Sequence, residues 1–168
     1  IIRIIPEVSV VGRYDMWLPG NQSINTFTGF LKPDPEITLT IPSATDKAIS
    51  VGAYDTSTDK VATFSGRGFT RENNQIKPDI VAPGVNIRSA ATGGGTTVLS
   101  GTSMATPFVT GSAALMMEWG IVRGNDPYLY GEKIKAYLIR GAKHLPGYEQ
   151  WPNKQAGWGA LCLRDSLV

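Results

Sequence analysis

The sequence holds one cysteine, Cys162, and one histidine, His144. A lone thiol excludes an intrachain disulfide, and one thiol with one imidazole falls short of the ligand sets that hold zinc. Charge of one sign is also scarce, since 16 Lys and Arg against 14 Asp and Glu leave a formal net charge of +2. Dispersed in this way, the cations form no basic stripe for a phosphate backbone, which argues against nucleic acid as a partner. Every apolar run is broken by Gly, Pro or charge before the roughly 18 residues that a membrane-spanning helix needs. Gly93-Gly94-Gly95 lacks the Gly-Lys-Ser/Thr ending of a phosphate loop and reads as a flexible connection, so no cofactor and no metal is expected.

Glycine and proline are present in quantity, 19 and 11 of the 168 residues, and 42% of the chain is apolar. That composition suits a globular, loop-rich chain of about one domain with a sizeable core. The opening Ile1-Ile2-Arg3-Ile4-Ile5 has no Met and reads as mid-strand, so the expectation is a polypeptide cut or truncated there. From Ile1 to about Ile41 the pattern is β. Val8, Val10, Ile37, Leu39 and Ile41 alternate with polar residues, while Pro19-Gly20-Asn21 and Lys32-Pro33-Asp34-Pro35 supply turns. The compact run Ala48 to Tyr54 predicts a strand buried on both faces of a parallel sheet. Ile80-Val81-Ala82, stopped by Pro83-Gly84, predicts a strand running into a tight corner.

Ser103 to about Trp119 is nearly all apolar or small and predicts a buried, central helix. Pro107 fits it only if the helix starts near Ser103 or Met104, where a missing N–H falls among the orphan donors of the first turn. Gly111 in mid-helix disfavours the helix by roughly 1 kcal/mol, which points to close packing of a neighbour there. Asp126 as N-cap, Pro127 at the first position, the Ile134, Tyr137, Leu138 stripe and Gly141 after Arg140 predict a second helix.

Gly101-Thr102-Ser103-Met104-Ala105-Thr106-Pro107 places a hydroxyl at the first turn of that helix, after a glycine-marked loop. A helix N-terminus offers free N–H groups and positive partial charge, which stabilise an oxyanion forming beside an attacked carbonyl. The plain alternative is a cap, with Thr102 or Ser103 closing the helix end. The seven residues resemble the nucleophile signature of the subtilisin-like serine proteases. Val81-Ala82-Pro83-Gly84 is similar to a second family motif, with Ser103 twenty positions after Pro83. Ala48 to Asp55 and Phe64-Ser65 resemble the family strand and turn of that region.

The resemblance implies an α/β fold: residues 41–168 as the C-terminal part of the three-layer subtilisin-like domain with its parallel sheet, and residues 1–40 as the end of a β-rich insertion. It implies a serine endopeptidase acting on polypeptides, with Ser103 as acyl-accepting nucleophile and its N–H as one oxyanion donor. Thr102 would support that oxyanion through its hydroxyl, and Met104 would be oxidation-sensitive. Glu118-Trp119-Gly120 and Leu138 to Ala142 are similar to subtilases of clostridial and related anaerobes, including the spore-germination type, with a secreted, spore-surface or cell-surface location.

In the family the triad Asp and His precede the Ser, and no His precedes Ser103 here. None of Asn21, Asn25, Asn73, Asn74 or Asn86 is assigned as the family's oxyanion-donating Asn. The expectation is therefore that Asp, His and Asn come from an upstream segment of the same precursor, and that these residues alone hydrolyse nothing. Two other readings stay open: a catalytically dead subtilase scaffold that binds or regulates, and an esterase of α/β-hydrolase type using Ser103, Asp126 and His144 in that chain order. The second asks for Gly at position 105, where Ala stands. Asp79 matches a position that in some subtilisins helps bind a weak cation, against the simpler role of a solvated turn carboxylate. Trp17, Trp151 and Trp158 are candidates for a peptide groove or for loop packing.

Overall fold

The computed structural model describes residues 14–19, 24–25 and 27–167. The chain divides into two units, residues 1–34 and 35–168. Val8, Val10, Gly20 and Asn21 lie outside the described residues. In the first unit, residues 14–19 carry no regular structure, and Asn25 turns the chain by accepting the Phe27 N–H at 2.9 Å. The rest of this section concerns the second unit.

Its centre is a small sheet of β1 (Val51–Asp55), β2 (Lys60–Val61) and β3 (Ile80–Pro83) in the order β2-β1-β3. β1 and β3 run parallel, with Val51 opposite Ile80 and Tyr54 opposite Pro83, and β2 turns back antiparallel on the end of β1. The alternation of side chains across a strand divides the core in two. Ala53, Ile80 and Ala82 face one apolar cluster, together with Ala105, Val109, Met116, Ile134 and Leu138 from the helices. Val81 faces the other, made by Leu145, Ala156 and Ala160 from an irregular layer. β3 is thus covered on both faces, as its unbroken apolar run predicts. Its outer edge is closed by main chain, since Val81 N–H donates to Gly159 O at 2.9 Å and Leu161 N–H to Val81 O at 2.8 Å.

A hairpin follows, β4 (Ile87–Ala90) against β5 (Thr96–Leu99). Gly93-Gly94-Gly95, expected as a flexible connection, forms its turn, all three at positive φ. Positive φ at successive positions is readily met only by glycine. Ile37, Leu39 and Ile41 do not form the expected strand. Ile37 sits at φ 54°, and Thr38 instead closes a loop by donating its N–H to Arg67 O at 2.9 Å and accepting the Arg67 N–H on its hydroxyl at 2.9 Å.

Helix α1 (Thr102–Met117) runs against β1 and β3 and continues in a wider π turn over Glu118–Val122. It buries one stripe, Ala105, Val109, Ser112 and Met116, spaced as one helical face requires. The expectation of a helix buried all round is corrected: Phe108, Leu115 and Met117 stay exposed on the other side. Gly111 is corrected with it, because a Cβ there would meet nothing within 4 Å. Pro107 lies well inside the helix, which starts at Thr102, and so deprives the Ser103 carbonyl of its i+4 donor.

Helix α2 (Gly131–Arg140) starts four residues later than its capping signals suggest, because Asp126 uses its carboxylate on Lys133 and Tyr137 rather than on a helix end. Ile134 and Leu138 are its buried residues. α3 (Leu163–Ser166) closes the described chain, its Ser166 against Gly141. No helix of the described residues is long and apolar enough to cross a membrane.

Candidate active site

The corner after β3 sets the start of α1. Gly101 N–H donates to Gly84 O at 2.8 Å, and a Cβ at Gly84 would fall 2.5 Å from Ala53 Cβ and 2.9 Å from Gly101 O. Strand and helix can approach this closely only because position 84 has no side chain. From Gly101, the Met104 and Ala105 N–H groups close the first turn on Gly101 O at 3.1 and 3.3 Å. The Ser103 N–H and hydroxyl have no acceptor or donor among the described residues, and Ser103 is exposed. A hydroxyl and an unused N–H therefore stand together at the positive end of a sixteen-residue helix.

Ser103, Thr102 and Thr106 form one side of an open groove of about 490 Å3. Its other walls include Leu39, Thr40 and Ser43, Ile49 to Gly52 at the entry to β1, and Thr63 to Arg67. Phe64 projects half-exposed beside it, while Ser65 is buried and accepts the Ala53 N–H at 3.0 Å. Sequence reading found Phe64-Ser65 as a turn but missed Leu39, Thr40 and Ser43, whose place depends on the loop closed by Thr38 and Arg67. No His, Asp or Glu lines the groove, and its charged residue, Arg67, faces Glu36 at 3.9 Å.

His144 and Asp126 do not join Ser103. His144 stacks flat on Trp151, ring centroids 4.4 Å apart, and Tyr148 meets the same Trp edge-on. The Asp126 carboxylate takes the Lys133 ammonium at 2.6 Å and the Tyr137 hydroxyl at 2.9 Å. Hydrogen bonding from Lys133 holds its carboxyl below the usual range against the opposing pull of burial, and Tyr137 adds to the lowering. The esterase arrangement is therefore absent. Trp151 and Trp158 line other surfaces than the groove, and Trp17 lies in the first unit.

Asp79 is corrected too. It is no solvated turn carboxylate but a buried one, accepting the Ser50 N–H and the Lys77 ammonium, each at 2.7 Å, and the Lys135 ammonium at 2.8 Å. Burial pushes the Lys77 ammonium below the usual lysine range, opposed by Asp79. Sequence reading missed both lysines. Among the described residues no three His, Cys, Asp or Glu gather as a metal site would need.

Residues 17–159 match the model of the subtilase family of serine peptidases. The chain is similar to serine protease AprX of Bacillus subtilis, 36% identical over 158 residues, covering 80% of this chain and 33% of AprX. Human membrane-bound transcription factor site-1 protease is 34% identical over 131 residues, 75% of this chain and 12% of that protein. Among solved structures, the Clostridium perfringens CspB protease superposes with a TM-score of 0.79 at 49% identity, over 83% of this chain and 30% of that one. The maturation protease PagA does so at 0.63 and 32%, over 80% and 46%. The chain thus spans a third or less of AprX, the site-1 protease and CspB. Fold, motifs and relatives converge: the chain belongs to the subtilase family of subtilisin-like serine proteases.

Proposed function

We propose that, in the intact polypeptide, Ser103 is the nucleophile of a serine endopeptidase. The observation that carries this is its exposed hydroxyl on the groove at the start of α1, beside an N–H that no backbone oxygen uses. The hydroxyl oxygen bonds to the peptide carbonyl carbon while its proton passes to a base. The Ser103 N–H, helped by the Thr102 hydroxyl, holds the negative oxygen that forms. Collapse breaks the C–N bond, the base returns the proton to the leaving amine, and water then hydrolyses the ester on Ser103.

The base comes from outside these residues. His144 is stacked on Trp151, and the groove lining holds no titratable partner for the hydroxyl. We assign the Asp, the His and the oxyanion Asn to a preceding segment of the same precursor. Two features support such a segment. Among the described residues no strand pairs with β1 at Val51 and Gly52 on the β2 side, where the ladder stops at the Ala62 N–H on Ala53 O, and α1 leaves Phe108, Leu115 and Met117 exposed. Residues 1–40 then end a β-rich insertion, and 41–168 form the last part of the catalytic domain.

A fluorophosphonate probe tests the assignment. In the intact protein it should modify Ser103 and nothing in a Ser103→Ala variant, while the isolated chain turns over no peptide. An intact, folded protein that resists the probe would favour a non-catalytic scaffold that binds polypeptides. Turnover by residues 1–168 alone, lost in Ser103→Ala, would refute the need for an outside base.

A further inference from the structure

Two hydroxyls on α1 make the same bond one turn apart. Thr106 Oγ1 donates to Thr102 O at 3.0 Å, and Thr110 Oγ1 donates to Thr106 O at 3.2 Å. A helical Thr commonly turns its hydroxyl back on the carbonyl four residues earlier, so the bonds themselves are ordinary. The peptide units that receive them are not alike. Thr102 O belongs to the planar amide that carries the Ser103 N–H, whereas Thr106 O belongs to the amide of the Pro107 nitrogen, which has no hydrogen. A donor on a carbonyl oxygen polarises the amide and makes the N–H at its other end a stronger donor. The Thr106 hydroxyl therefore acts on an N–H, the one left without an acceptor at the groove, and the Thr110 hydroxyl does not.

Pro107 adds a second reason. By removing the i+4 donor of the Ser103 carbonyl, it leaves the helix ladder one bond short at the residue that carries the exposed hydroxyl. The peptide on the N-terminal side of Ser103 is the one to which the Thr106 side chain adds a bond, so the plane of that amide, and with it the direction of the Ser103 N–H, is held where the ladder is weakest. We infer that Thr106 is a positioning residue: its hydroxyl orients the Thr102–Ser103 peptide and strengthens the Ser103 N–H toward the oxyanion. The role rests on Ser103 being the nucleophile, and it differs from that of Thr102, whose hydroxyl acts on the oxyanion directly. Its size follows from two magnitudes. A neighbouring bond strengthens a hydrogen bond by about 10–30%, and loss of a whole oxyanion donor slows reaction about 10²–10³-fold. Loss of the Thr106 hydroxyl should then slow reaction about two- to eightfold.

The kinetics of fluorophosphonate labelling of the intact protein test this, resolved into a maximal rate and a half-saturating concentration. Thr106→Val should lower the maximal rate about two- to eightfold and leave the half-saturating concentration unchanged. Thr106→Ala should match it, and Thr106→Ser should recover the parent rate. Thr110→Val removes the same kind of bond from an amide without an N–H and should label as the parent does. Equal falls in Thr106→Val and Thr110→Val would mark a general effect on the helix and overturn the inference. A Thr106→Val protein that labels at the parent rate, that falls where Thr106→Ala does not, or that fails to fold would overturn it as well, with Ser103 still the nucleophile because the parent is labelled there. A folded parent that is not labelled at Ser103 would overturn both.

Discussion

The Ser103 groove and the Lys77–Asp79–Lys135 cluster are opposites within one unit. The groove is open, holds a hydroxyl and an unused N–H, and is lined by no carboxylate or imidazole. The cluster is closed, with both carboxylate oxygens of Asp79 engaged and both ammonium groups bonded. One region offers free hydrogen-bonding groups to solvent, whereas the other has its charges mutually engaged and holds chain segments together. The difference teaches where each must be probed: the cluster by stability, the groove by activity, and α1, which carries Ser103 and also packs on β1 and β3, by either.

The largest effect should come from opening the closed region. Asp79→Asn leaves two buried ammonium groups without a counter-charge and should lower the stability of the intact protein by about 3–5 kcal/mol in urea unfolding. A loss no greater than that of an exposed pair, about 0–1 kcal/mol, would break the comparison. Next comes α1. Nothing lies within 4 Å of a Cβ at Gly111, so an outer face left open to water predicts a gain of up to ~1 kcal/mol from Gly111→Ala. If the preceding segment covers that face, overpacking should turn the gain into a loss of about 1–3 kcal/mol. We expect the loss, read as a fall in melting temperature of the intact protein. The smallest effect sharpens the groove side. Thr102→Val should lower kcat/KM about tenfold, less than the roughly 10²–10³ of a full oxyanion donor, with Thr102→Ser close to the parent and thermal stability unchanged in both.

Legibility followed the range of the interactions. β1, β3 and α1 could be read because each is one continuous apolar run whose burial is decided locally. Ser103 could be read because seven adjacent residues carry its setting. The β4–β5 hairpin was missed, since Arg88, Ser89, Thr96 and Thr97 break up the few apolar residues of a largely exposed strand pair and leave no alternating pattern beside its glycine turn. The start of α2 was misplaced because Asp126 and Pro127 imitate a cap, while the carboxylate is claimed by Lys133 and Tyr137, seven and eleven residues further on. Lys77 was passed over because lysine is almost never fully buried without a partner, and its oxygens arrive from Ala48 and Asp79 only on folding. The bare face of α1 was read as core since its residues are apolar; the sequence of a helix does not say who lies against it.

Gly84 acts as a spacer of zero thickness. The separation between sheet and Ser103 is set there by an atom that is missing, since a Cβ would fall 2.5 Å from Ala53 Cβ and 2.9 Å from Gly101 O and would push the helix origin outward. A displacement near 1 Å is enough to weaken a reacting geometry by about a hundredfold. Variation at this corner should therefore register as lost turnover before it registers as lost folding, making position 84 a gauge of catalytic alignment although it never touches a substrate.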